Sequence, residues 1–128
     1  MADLDAILSL WILAGLKVEP GPAARELGGM LAAGTDLVLV AEREDAIVGA
    51  VLGSWDGRRG WVQRLATQPQ WRGRGIATGL VAELEARLRA RGCAKLNLLI
   101  EPDNSGVVSF YERIGFCPDE LIFMEKWL

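Results

Sequence analysis

The 128-residue chain has no histidine, a single tyrosine and only two cysteines. Without an imidazole there is no Ser-His-Asp triad, no Cys-His nucleophile and no zinc site with histidine ligands. Cys93 and Cys117 are too few for a disulfide framework, and one pair in a chain of this length reads as two reduced thiols. Long apolar runs are lacking as well. The most apolar stretch, Ala6 to Leu16, is interrupted by Ser9 and falls short of the ~20 residues that span a bilayer. Asp3 and Asp5 precede it where an export signal would carry Lys or Arg. Low-complexity tracts and internal repeats are absent too. These gaps lead to the expectation of one domain over residues 1–128, cytoplasmic, with no membrane partner and no metal.

What is present suits a folded enzyme or binding domain. Hydrophobic residues make up 51% of the chain and charged residues 24%, a balance that can bury one core. The net charge of -3 conceals an uneven distribution, because nine basic residues stand against two acidic ones between Arg58 and Lys95. A solvated basic helix face accounts for such a segment, and so does a phosphate-bearing ligand.

Periodicity sets out the elements. Leu4, Ile7, Leu8, Trp11, Ile12 and Leu16 recur at helical steps, and a second short helix is expected after a break at Pro20-Gly21-Pro22, with Ala24, Leu27, Met30 and Leu31 inward. "DLVLVAERED" and "AIVGAVLGSWDG" read as an antiparallel hairpin joined through Glu42 to Asp45, and Asp56-Gly57 as a turn. "GWVQRLAT" reads as a third strand, alternating Trp61, Gln63, Leu65 and Thr67 with Val62, Arg64 and Ala66. A helix follows with Ile76, Leu80, Val81, Leu84 and Leu88 on one stripe and Gly92 as its stop. "KLNLLI" is expected as a fourth strand. A last helix would be capped by Asp103, Asn104 or Ser105, bury Val107, Phe110, Tyr111 and Ile114, and stop at Gly115. The closing "ELIFMEKWL" is expected as a fifth strand. The fold class is α/β, with a mixed, mostly antiparallel sheet flanked by helices and a parallel strand-helix-strand crossover.

Between the third strand and its helix lies "QPQWRGRGIA". A strand-to-helix turn presents unpaired N–H groups at the positive end of the helix dipole. Gly73 and Gly75 remove the Cβ atoms that would hold an anion away, while Arg72 and Arg74 add charged donors. The alternative is a plain glycine-eased turn. No Lys-Ser/Thr follows the second glycine, so this is no Walker sequence, and a Rossmann fingerprint would need a third glycine after the first strand.

"VQRLATQPQWRGRGIATGLVAELEARLRARG" resembles the central motif of the GNAT superfamily of acyl-CoA-dependent N-acyltransferases, Arg/Gln-x-x-Gly-x-Gly/Ala after a bulged strand, with Arg72, Gly75 and Ala77 in its three positions. "LNLLIEPDNSGVVSFYERIGF" is similar to the family's second motif, through Asn104, Tyr111 and the closing Gly115-Phe116. "LVAE", "IVGAVLGSWDG" and "RGRGIA" together most resemble the small bacterial acetyltransferases of the YpeA type.

The resemblance implies that the strands at Trp61–Thr67 and Lys95–Ile100 are parallel, central and splayed apart at one end. The pantetheine arm of acetyl-CoA would lie against Leu65, Ala66 and Thr67 like an added strand, with the pyrophosphate on Arg72, Gly73, Arg74, Gly75, Ile76 and Ala77. Asn104 would also contact the cofactor, or be only a helix cap. Tyr111 would be the general acid for the departing thiolate, or a core tyrosine with a satisfied hydroxyl. Glu101 is a candidate base, although an ordinary exposed carboxylate explains it better. Trp55, Trp61 and Trp71 line an acceptor pocket or simply pack.

Family members commonly open with a strand, which is apparently missing here. Either it is dispensable or another subunit covers its edge, as in a homodimer. Val107 stands where the family often has Ala. The implied activity is acetyl transfer from acetyl-CoA to a primary amine of a small molecule or protein. The alternative is a non-catalytic acyl-CoA-binding sensor or interaction module. Nucleic acid is not an expected partner of so acidic a chain.

Overall fold

The computed structural model describes residues 2–128, without the side chains of Ala2, Pro102 and Asp103. It divides into two compact units, residues 1–98 and 99–128, and each is taken by itself.

The first unit runs α1 (Ala2–Leu13), α2 (Pro20–Ala32), β1 (Val38–Arg43), β2 (Ala46–Trp55), β3 (Gly60–Thr67), a 3₁₀ turn (Pro69–Trp71), α3 (Ile76–Ala90) and β4 (Leu96–Leu98). Its sheet has the order β1-β2-β3-β4, the first two pairings antiparallel and β3-β4 parallel. The hairpin turns through Glu44 and Asp45 alone, both at positive φ, which matches the right-handed twist of the flanking strands.

β2 is buried from Val48 to Gly53 because both faces of the sheet are covered there. Ala50, Leu52 and Ala66 pack with Ile7, Leu10, Trp11, Ala23 and Leu27 of α1 and α2. On the alternate positions, a Cβ at Gly49 would strike Ile76 and Leu80, and one at Gly53 would strike Leu84. Those two glycines let α3 lie directly on the sheet. The α3 stripe is buried as its spacing predicts: Ile76, Leu80, Val81, Leu84 and Leu88.

Several boundaries differ from the sequence reading. Pro20 and Pro22 do not break the chain; they form the first turn of α2, where a missing N–H costs no helix bond. In α1, Leu10 is buried, whereas Ile12 is 60% exposed. The fourth strand is three residues long, not six, and lies at the sheet edge.

The second unit contains a 3₁₀ segment (Pro102–Val107) and α4 (Val108–Arg113). Here the expected helix is shorter and less buried. Its N-cap is Val107, with no side-chain cap, so Asn104 and Ser105 do not serve as caps; the Asp103 side chain lies outside the described residues. Val107, Phe110, Tyr111 and Ile114 are only half-buried. Its end is as expected. Phe116 N–H donates to the Tyr111 carbonyl (3.0 Å) and Gly115 N–H to that of Glu112 (3.1 Å), a Schellman closure. The expected fifth strand is not formed: Glu120–Leu128 has no ladder, and Leu121, Ile122, Met124 and Trp127 are exposed. Strand propensity supplies no partner edge. Among the described residues, no helix is long and apolar enough to cross a membrane.

Candidate functional site

β3 carries an irregularity where the site is expected. Leu52 pairs with Gln63 and Ala50 with Ala66, so Val51 faces both Arg64 and Leu65. This bulge, with Arg64 at φ 50°, cancels the strict alternation of the sequence reading: Leu65 is half-buried, and Ala66 and Thr67 are both buried. Thr67 is the one buried polar residue among those described. The ladder to β4 ends at Val62↔Leu98. From Gln63 to Thr67, therefore, β3 has β2 on one side and, among the described residues, no strand on the other, an edge whose peptide groups can pair with an extended ligand.

The chain then passes through the 3₁₀ turn into Arg72-Gly73-Arg74-Gly75. Both glycines have φ 78°, and no protein atom beyond their chain neighbours lies within 4 Å of a Cβ built on either. They are thus required by backbone conformation, and the space beside them is open. Gly75 is the N-cap of α3, with no side-chain cap. The first closing bond of the helix runs from Gly79 N–H to the Gly75 carbonyl (3.0 Å), which leaves the N–H groups of Ile76, Ala77 and Thr78 without helix partners. Ile76 points into the core and fixes the turn from below. A groove of about 500 Å³ between β1 and α3 reaches Gly75, Ile76 and Gly79.

Six arginines of the basic segment divide between two tasks. Arg64, Arg87, Arg89 and Arg91 form ion pairs with Glu26, Glu83, Glu85 and Asp36. These belong to helix faces and element contacts, so about half of the basic segment is explained without a ligand. Arg72 and Arg74 have no carboxylate partner among the described residues: Arg72 donates to the Ala14 carbonyl at the end of α1 (3.1 Å), and Arg74 lies 4.7 Å above the Trp71 ring. Both remain exposed at the turn.

In the second unit Tyr111 is held edge-on between Phe110 (5.2 Å) and Phe116 (5.5 Å). Burial pushes its phenol above the ordinary value of 10.0, so the hydroxyl stays protonated at neutral pH. Asn104 is exposed and sits at a non-helical kink, φ -115°, ψ 26°. Glu101 is exposed, and its carbonyl accepts the Asn104 N–H (2.9 Å). Trp55, Trp61 and Trp71 are half-buried. No group of three His, Cys, Asp or Glu side chains converges among the described residues.

Residues 4–116 match the model of the acetyltransferase (GNAT) family. The chain belongs to that family. GNAT relatives include an acetyltransferase of Sodalis glossinidius, 36% identical over 127 residues, covering 98% of this chain and 89% of that one. Another, from Pectobacterium atrosepticum, is 37% identical over 126 residues with the same coverage. Among solved structures, the aminoglycoside 6'-N-acetyltransferase AAC(6')-Ig of Acinetobacter haemolyticus superposes with a TM-score of 0.80 at 18% identity, covering 99% of this chain and 94% of that one. AAC(6')-Iy in complex with CoA gives 0.79 at 18% identity, with 98% and 89% covered. The GNAT fold expected from the motifs is therefore the fold found.

Sequence reasoning missed Arg64 as a structural centre. One signal was available: strict alternation placed an arginine between Val62 and Ala66 on a buried face, a conflict that a bulge resolves.

Proposed function

We propose that this GNAT protein transfers the acetyl group of acetyl-CoA to a primary amine of a small molecule or protein. The observation that carries the reading is the uncapped start of α3 behind two left-handed glycines, a turn of outward N–H groups flanked by two arginines without carboxylate partners among the described residues. A pyrophosphate fits that chemistry: anionic oxygens accept from Arg72 through Ala77, and the helix dipole adds to the attraction. The pantetheine amides would pair with the open edge at Leu65, Ala66 and Thr67. Asn104 is assigned a supporting cofactor contact.

The reaction requires a neutral amine. Its nitrogen attacks the thioester carbonyl, the tetrahedral intermediate collapses with cleavage of the C–S bond, and the sulfur leaves as a thiolate that takes up a proton. Tyr111 is assigned that proton, since a phenol is neutral at neutral pH and can donate it, and burial keeps it protonated further into alkali. The amine's own proton goes to water or a carboxylate.

The test is titration of acetyl-CoA into the wild type and Gly75→Glu, followed by turnover with a panel of amines. Glutamate there opposes the anion and imposes a strained backbone at φ 78°. Binding that weakens at least ~100-fold in a folded variant, roughly 2.7 kcal/mol, supports the reading. Equal binding by both proteins removes the turn from the site. Binding without transfer to any amine, in a protein that retains Tyr111, would favour the acyl-CoA sensor instead.

A further inference from the structure

Three non-glycine residues have positive φ among those described: Glu44 and Asp45 in the hairpin turn, and Arg64 inside a strand. A left-handed L-residue sets its Cβ against the next carbonyl, so it persists only where its surroundings hold it there. For Arg64 those surroundings are visible. The guanidinium lies 4.9 Å over the indole of Trp11, which is fully buried in α1, and Nη2 is 3.2 Å from a carboxylate oxygen of Glu26 in α2. Nη1 of Arg64 and Nε1 of Trp11 are buried without a hydrogen-bond partner. The guanidinium is thus gripped by a ring and one carboxylate, not by a full set of acceptors, and the fold retains it despite two unsatisfied donors.

The backbone consequence lies on the proposed cofactor edge. The bulge at Arg64 and Leu65 opposes Val51, and β3 parts from β4 immediately before it, after Val62↔Leu98. We propose that Arg64 is a positioning residue: its grip on Trp11 and Glu26 holds the bulge that keeps the edge at Leu65–Thr67 in the shape that receives the pantetheine arm. This rests on the reading of that edge as the acetyl-CoA site. Arg64 acts through its backbone and needs no contact with the cofactor.

That distinction supplies the test. Alanine at position 64 removes the grip and keeps the unfavourable backbone, whereas glycine removes the grip and adopts positive φ freely. Acetyl-CoA titration, with circular dichroism and urea unfolding on each protein, should show Arg64→Ala weakened about tenfold and Arg64→Gly within about threefold of wild type. Glu26→Gln, at an exposed carboxylate, should weaken binding about threefold alone and have no further effect on the Arg64→Gly background. If folded Arg64→Ala binds like wild type, or folded Arg64→Gly binds as weakly as the alanine variant, the proposal fails while the acetyl-CoA site stands. Should Arg64→Ala not fold, Glu26→Gln decides: an equal loss in the wild-type and Arg64→Gly backgrounds overturns the positioning role. A wild type that does not bind acetyl-CoA overturns the site and this inference together.

Discussion

The two units of this protein are ordered by different means. In residues 1–98, α1 and α2 bury side chains on one face of the sheet and α3 on the other, so β2 is closed from both sides. In residues 99–128, none of the described residues is buried; order there comes from a 3₁₀ segment, a six-residue helix, a Schellman closure and rings meeting edge to face. The contrast teaches where each proposed role gets its precision. The turn proposed to bind phosphate is mounted on a helix with five buried side chains, while the ring of Tyr111 is held edge-on by two neighbouring aromatic rings.

The largest effect that would break this comparison is a cavity. Leu84 is 0% exposed beneath Gly53, and Leu84→Ala should cost about 2–5 kcal/mol in urea unfolding. Ile114→Ala, on the half-buried face after α4, should cost only about 1 kcal/mol. Equal losses would mean that the second unit has a core of its own standing.

Tyr111→Phe sharpens the comparison on the functional side, because it keeps the ring contacts and removes only the hydroxyl. A fall in kcat of about 100-fold is expected, with KM for acetyl-CoA and the urea midpoint unchanged. With its pKa raised above 10.0 by burial, the acid remains protonated until strongly alkaline pH, so the wild-type rate should decline only above 10.0 and the variant should lack that limb. The linkage has the same sign: the native state keeps a proton that the unfolded state releases, so this contribution to stability is intact below pH 10.0 and is lost as pH rises through the folded value. An alkaline limb well below that value would assign the proton to another group.

The smallest effect belongs to the β2-β3 turn. Asp56 accepts the N–H groups of Arg59 and Arg58, both at 2.7 Å, and these bonds hold its carboxyl below 3.8. Its contribution is present above pH 3.8 and is lost as pH falls through the lower folded value. Because the carboxylate is fully exposed, Asp56→Ala should lower Tm by no more than about 2 °C at neutral pH, with a smaller difference in acid.

Much of the first unit was legible in advance. The α3 stripe follows from 3.6-residue spacing, the hairpin from two Val/Leu-rich runs around charged residues, and the turn from glycines before a helix, because each signal is local. "ELIFMEKWL" read as a strand on the same local grounds and is not one, since a ladder needs a second chain segment that its own residues cannot specify. The last helix suffered similarly: Asp, Asn and Ser offered caps, yet the chain first takes a 3₁₀ path that is kinked at Asn104.

By itself, then, the sequence determined the elements of the first unit, the family motifs and the turn rich in glycine and arginine, because periodicity and backbone freedom are properties of short stretches. A bulged strand and strands splayed at one end were implied by the family motif, but only the tertiary structure decided that the bulge sits at Arg64 and Leu65, that β3 parts from β4 after Val62, and that Trp11 and Glu26 grip one guanidinium. Those features arise where α1, α2 and β3 meet, and contacts between residues far apart in the chain leave no periodic mark on it.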